Sequence, residues 1–147
     1  MKVKDILKVK GSKVYTINEN STLMAATAKM FSNKIGSLIV VNDKEEIVGI
    51  VAPNDILKAV HEGCVENCSL QRVNQVMTKN LLCASEEDTI EYIQAVMTEN
   101  RIRHIPILDK TELKGLVSIG DVVNAQIKIH EVENHYLKDY IDGKYPG

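Results

Sequence analysis

The chain has no tryptophan, and aromatic side chains make up only 4% of its 147 residues. It also lacks a basic excess: 18 Lys and Arg stand against 20 Asp and Glu, a formal net charge of −2. A nucleic-acid groove needs cations to neutralise phosphates and rings to stack bases, so no nucleic-acid partner is expected. No apolar run approaches the roughly 18 residues that cross a bilayer, and no membrane partner is expected either. Cys64, Cys68 and Cys83 are odd in number and too few for a disulfide framework, which fits a reducing compartment. The first stretch, MKVKDILKVKGSK, is too polar for the apolar segment of a signal peptide. A cytoplasmic location is expected, with an organelle matrix as the alternative.

What the chain does have is an internal repeat. Thr22, Met30, Asn33 and Ile35 recur as Thr89, Met97, Asn100 and Ile102, at an offset of 67. One extra residue in the first copy then changes the offset to 66, and Gly49, Val51, Asp55 and Ala59 recur as Gly115, Val117, Asp121 and Ala125. The boundaries expected are a first repeat over 1–62, a linker over 63–72, a second repeat over 73–128 and a C-terminal extension over 129–147. Each copy reads as β-α-β-β-α, an α/β (α+β) unit. Val14–Ile17 and Leu81–Ala84 read as short strands. A helix follows, with Ser21 or Asp88 as its N-cap and Leu23, Ala26, Met30 or Ile90, Ile93, Met97 along one face. Leu38–Val41 with Ile47–Val51, and Ile105–Leu108 with Leu116–Val117, read as hairpins. A last helix opens near Asp55 or Asp121. A half of under 60 residues is marginal alone, so the two halves are expected to pack together and share a core. Gly63 suits the end of the first repeat's last helix.

Candidate functional residues cluster at the end of each copy. An aspartate in the first helical turn either caps free backbone N–H groups or accepts bonds from the neighbouring hydroxyls of a ligand such as a ribose. Asp121 has Ser118 and Gly120 beside it, a hydroxyl and a place where a ligand can approach the backbone. In RIRHIP, Arg101 and Arg103 read as one side of a strand entrance and His104 as the other, either solvated or clamping a phosphate. Ser118 is no nucleophile elbow, because Gly115 stands three residues before it where the pattern needs two. Without a base and an orienting partner, no catalytic residue is expected. His61, Cys64 and Cys68 lack an obvious fourth ligand, and the histidines of HEVENH are five apart, so no metal is expected. Ile129, Val132, Tyr136 and Tyr140 form a stripe that either packs back on its own domain or meets another subunit.

Two such copies, each closing on G-[IL]-V-x-x-x-D, with VMT at 76–78 opening the second and RHIP within it, resemble a tandem cystathionine-β-synthase (CBS) domain pair, the Bateman module. The chain is also similar to the small stand-alone CBS-pair proteins of bacteria and organelles. This resemblance implies a pseudo-two-fold pair of repeats that binds adenine nucleotides or adenosyl compounds in clefts and transmits occupancy to a regulated protein. It implies no required cofactor, but a regulatory ligand such as AMP, ADP or ATP, with NAD or S-adenosylmethionine as further candidates. By position, the principal cleft would use Asp121, Ser118 and Gly120, with Tyr15, Ile35 and Gly36 around the base. The weaker cleft would use Asp55, with Leu82, Ile102, Arg103 and His104. In the first copy Ala52 removes a hydroxyl and Asn54 a cation, which weakens the Asp55 side for anions. The resemblance also favours a homodimer.

Overall fold

The computed structural model describes residues 1–63 and 70–141. Cys64, Cys68 and Gly143, the residue expected to cap the end of the last helix, lie outside the described residues, as does the Tyr140 side chain. The elements are α1 (Val3–Lys10), β1 (Thr16–Asn18), α2 (Leu23–Asn33), β2 (Leu38–Val41), β3 (Ile47–Val51), α3 (Pro53–His61), α4 (Val73–Val76), α5 (Ile90–Asn100), β4 (His104–Asp109), β5 (Glu112–Ser118) and α6 (Ile119–Ile141). They form two compact units: Met1–Ser12 with the chain from Cys83, and Lys13–Leu82.

The units therefore cut across the sequence repeats. Helix α1 belongs to the unit built on the second copy, and α4 to the unit built on the first. Matching backbone bonds fasten the two exchanges. In the first unit Val3 N donates to Asp88 O, Lys4 N to Glu86 O and Ile90 N to Met1 O. In the second, Val73 N donates to Ser21 O, Asn74 N to Glu19 O and Leu23 N to Gln71 O. The bonds match one for one: their ends at 19–23 and 86–90 correspond at the offset of 67, and their exchanged-segment ends, at 1–4 and 71–74, at 70.

Each unit has its own apolar cluster, built from residues of both repeats. Val3, Ile6 and Leu7 of α1 pack with Ile90, Ile93, Met97, Ile105, Ile107, Val117 and Val122. Val73 of α4 packs with Ile17, Leu23, Ala26, Met30, Leu38, Val40 and Val51. A half-sized repeat is short of apolar surface, and the exchanged helix supplies the missing part.

Local chemistry explains the other departures from the sequence reading. The helix N-caps are Thr22 and Thr89, whose hydroxyls accept from Ala25 N and Tyr92 N, rather than Ser21 and Asp88. Asp88 is occupied one turn earlier, where its Oδ2 accepts from Ser85 N at 2.8 Å. Arg101 is not on a strand: it ends α5 in the left-handed region at φ 54°, as Lys34 ends α2 at φ 52°. The expected strand Leu81–Ala84 shrinks to one bridge, Ala84 with Ile107. In the other unit Ile39 N donates to Tyr15 O and continues the ladder. The position matching Ile39 is Pro106, which has no N–H to give to Leu82. Unit two thus holds a three-stranded sheet, β1-β2-β3, and unit one a two-stranded β4-β5 pair.

The repeated glycines are explained by the exchange. A Cβ at Gly115 would lie 2.7 Å from Leu7 Cδ2, and one at Gly49 would lie 2.7 Å from Met77 Sδ and 2.9 Å from Thr78 O. Leu7 can rotate away, whereas the Thr78 carbonyl is backbone. Gly49→Ala is expected to cost more in urea unfolding than Gly115→Ala, within the range of about 1–3 kcal/mol typical of overpacking; equal costs, or the reverse order, would contradict this.

Candidate functional site

In unit one, β5 ends at Ser118 and α6 begins at Ile119, so Asp121 sits in the first helical turn. Ser118 and Asp121 cap the helix reciprocally. Asp121 N donates to Ser118 Oγ at 3.1 Å, and Ser118 N donates to Asp121 Oδ2 at 2.8 Å. The same Oδ2 accepts from Lys10 Nζ at 2.6 Å, and Lys10 Nζ also donates to Leu116 O at 2.7 Å. Lys10 is the last residue of the exchanged helix α1. Among the described residues no bond falls on Asp121 Oδ1. Burial alone would raise the Asp121 carboxyl; the Lys10 hydrogen bond, the Ser118 N–H and the Lys10 charge together outweigh it and hold the carboxyl below its ordinary value.

His104 pairs with Ser118 across the β4–β5 ladder, and Ile119 N donates to Arg103 O at 2.8 Å. Arg103 and His104 share a unit with Asp121, as does the half-buried Ile102, in keeping with their place in the second repeat. Burial pushes the His104 imidazole below its ordinary value, Lys10 and Arg103 add to this, and Asp121 opposes it. Ser118, His104 and Asp121 do not make a catalytic relay. Ser118 Oγ accepts a backbone N–H and the Asp121 carboxylate faces Lys10, with no hydrogen bond from His104 to either. Gly120 is exposed, and a Cβ there would meet nothing closer than Ser118 Oγ at 3.6 Å, so the fold itself does not demand glycine.

In unit two Asp55 occupies the corresponding turn of α3. Its Oδ2 accepts from Ala52 N at 2.8 Å and its Oδ1 from Thr78 Oγ1 at 2.9 Å, so both oxygens are taken. The residues expected around the base of the principal cleft, Tyr15, Ile35 and Gly36, belong to this unit, as does the exposed Leu82. The Lys13 ammonium stands 4.9 Å from the centre of the Tyr15 ring. Ile35 lines an apolar groove of about 410 Å³ with Met30, Phe31, Pro53 and Ile56.

A second pair of grooves was not foreseen. One, of about 300 Å³, lies between α1 and α6 and is lined by Ile6, Lys10, Asp121, Asn124, Ala125 and Lys128, among others. The other, of about 370 Å³, is lined by Val76, Asp55, Lys58, Ala59 and Glu62, among others. The α3 and α6 residues correspond at the repeat offset of 66, and Ile6 of α1 corresponds to Val76 of α4, so these are one groove occurring twice. The sequence reading missed Lys10 and Thr78 because neither lies near its aspartate along the chain. It also missed Ser37 Oγ and Gln71 Oε1, two buried atoms without a hydrogen-bond partner among the described residues. Ser37 directly precedes β2 and Ala52 directly follows β3, beyond the Leu38–Val51 pair. A hydroxyl lost at Ala52 therefore has a neighbour on the adjoining strand.

With this geometry in hand, comparison with known proteins identifies the family. The CBS domain model matches residues 3–62 and 73–128, and the chain belongs to the CBS domain family. It is 32% identical over 152 residues to the mitochondrial CBS domain-containing protein CBSX3 of Arabidopsis thaliana, covering 97% of this chain and 73% of that protein. A crystal structure of a CBS-domain containing protein from Agrobacterium tumefaciens superposes with a TM-score of 0.83 at 33% identity, covering 86% of this chain and 99% of the other. The CBS domain pair of protein MJ0100, solved with 5-methylthioadenosine and S-adenosyl-L-methionine, superposes with a TM-score of 0.73 at 25% identity, covering 85% and 94%. CBS pairs are in general regulatory, ligand-binding modules. No helix among the described residues is long and apolar enough to cross a membrane.

The depressed His104 and Asp121 values have one sign. In each case the unfolded chain binds the proton more readily, so stability is full above the unfolded value, 6.5 for His104, and is lost as pH falls below it. Melting temperature is expected to drop between pH 7.5 and 5.5, with a shallower drop in His104→Gln; an unchanged slope in that variant would contradict the assignment.

Proposed function

We propose that the chain is a regulatory adenine-nucleotide sensor that performs no chemistry of its own and passes ligand occupancy to a partner protein. Asp121 takes the ribose hydroxyls, with Ser118 and Gly120 at the same corner. One observation carries this reading: Asp121 is held ionised at a helix start with no bond on Oδ1 among the described residues, whereas Asp55 has both oxygens occupied. Tyr15, Ile35 and Gly36 serve the base of the principal cleft, and Asp55, Leu82, Ile102, Arg103 and His104 the weaker one, as the family resemblance implies. AMP, ADP or ATP is the first choice of ligand. The adenosyl compounds bound by the MJ0100 pair support S-adenosylmethionine as a further candidate, and NAD remains in the same class. The described part of α6 exposes Val123, Ile127, Val132 and Leu137, which supports a homodimer through this helix.

The second reading, a constitutive scaffold with vestigial clefts, has one observation in its favour: Lys10 and Thr78 already bond the two aspartates within the protein. A thermal-shift panel of AMP, ADP, ATP, NAD and S-adenosylmethionine separates the two. A ligand at a hundred times its dissociation constant adds about 2.7 kcal/mol of stability. The shift is expected to vanish in Asp121→Ala and largely persist in Asp55→Ala. The absence of any shift would support the scaffold, and loss only in Asp55→Ala would reverse the order of the clefts.

A further inference from the structure

The two copies of the groove beside the aspartates differ in one chemical respect. In unit two, Thr78 supplies two neutral donors: its hydroxyl bonds to Asp55 Oδ1 and its backbone N–H to Ile50 O at 2.9 Å. In unit one, the residues matching Asp55 and Ile50 at the offset of 66 are Asp121 and Leu116. Both are bonded by a single ammonium, that of Lys10. Lys10 thus does with a charge what Thr78 does without one. The groove linings differ in the same direction. Among their charged side chains, Asp5 and Asp121 face Lys10 and Lys128 in the first groove, a formal sum of zero. Asp55 and Glu62 face Lys58 in the second, a formal sum of −1, and Lys58 already reaches Glu62 at 3.9 Å.

We infer that Lys10 sets the ligand selectivity of the Asp121 site, favouring phosphorylated adenosines over adenosine itself. The inference rests on the proposed function and adds a selectivity to it. One ribose hydroxyl can donate to the open Oδ1 of Asp121, and its neighbour then competes with Lys10 for Oδ2. A Lys stem is flexible and its ammonium is strongly hydrated, so the released charge needs a new partner near the same corner. A phosphate group provides one through a charge-assisted hydrogen bond. Adenosine provides none, and its binding breaks the Lys10–Asp121 pair without replacing it. Removing the ammonium therefore has opposite effects on the two ligands: AMP loses its cation, while adenosine loses its competitor. At the Asp55 site Thr78 carries no charge to release, so the same contrast does not arise there.

Isothermal titration of the full chain with AMP and with adenosine tests this at the site that Asp121→Ala abolishes. In Lys10→Met the ratio of the adenosine to the AMP dissociation constant is expected to fall about tenfold or more, the scale of one charge-assisted bond. Lys10→Arg keeps the charge and is expected to keep the ratio within about twofold of wild type. A Lys10→Met ratio within about twofold of wild type, in protein whose circular dichroism is unchanged, overturns the inference while leaving the sensor reading intact. If Lys10→Met does not fold, the Lys10→Arg protein and a salt series on the wild type decide: AMP affinity must fall more steeply with salt than adenosine affinity, and equal slopes overturn the inference. Wild-type protein that binds neither compound overturns this inference, and the sensor reading falls with it only if ADP, ATP, NAD and S-adenosylmethionine also give no thermal shift.

Discussion

The structure depends on the seam between each exchanged N-terminal helix and the strand–helix corner it covers. Three backbone hydrogen bonds tie each exchanged helix to the residues that open α5 or α2, and a glycine in the covered strand lets the chain approach: Gly115 under Leu7 and Gly49 under Met77. Side-chain volume at either glycine would push the seam open. The same approach completes an apolar core, with Val3 and Val73 fully buried at matching places. It also brings Lys10 onto Asp121 and Thr78 onto Asp55. Packing and candidate chemistry therefore share one cause.

Much of this fold was legible because the repeat supplies each reading twice. Periodic apolar residues located α2 and α5, and the two hairpins followed from compact apolar runs around polar turns. Asp55 and Asp121 were correctly placed in first helical turns. The misses have definite causes. Thr22 and Thr89 each adjoin another competent capping residue, and one-residue ambiguity of this kind lies below what local pattern resolves. The strand before α5 failed because a proline some 24 residues later, at 106, withholds the N–H that would have extended it. The exchange itself could not be read, because Val3 and Val73 fit an apolar helix face equally well whichever copy they cover.

At the candidate site, the residues near the aspartates in sequence were identified and those reaching them from afar were not. Ser118 was found, and its hydroxyl caps α6. Lys10 lies 111 positions from Asp121, and Thr78 lies 23 from Asp55. The glycine motif explains how backbone comes close to backbone but not which side chain arrives with it. Ala52 read as a lost hydroxyl, and Ser37 Oγ, without a hydrogen-bond partner among the described residues, shows that position alone did not describe what adjoins Ala52. The two corners share backbone geometry and differ in the charge delivered to them.

The central claim is that Asp121, held by Lys10, is the carboxylate that meets the ligand. Side-chain NMR observes both groups directly, through the Asp121 carboxyl carbon and the Lys10 ammonium nitrogen, during a titration with AMP. The account predicts saturable shifts of both signals with a single midpoint, and smaller movement of the Asp55 carboxyl. Saturable binding that leaves the Asp121 and Lys10 signals in place would contradict it.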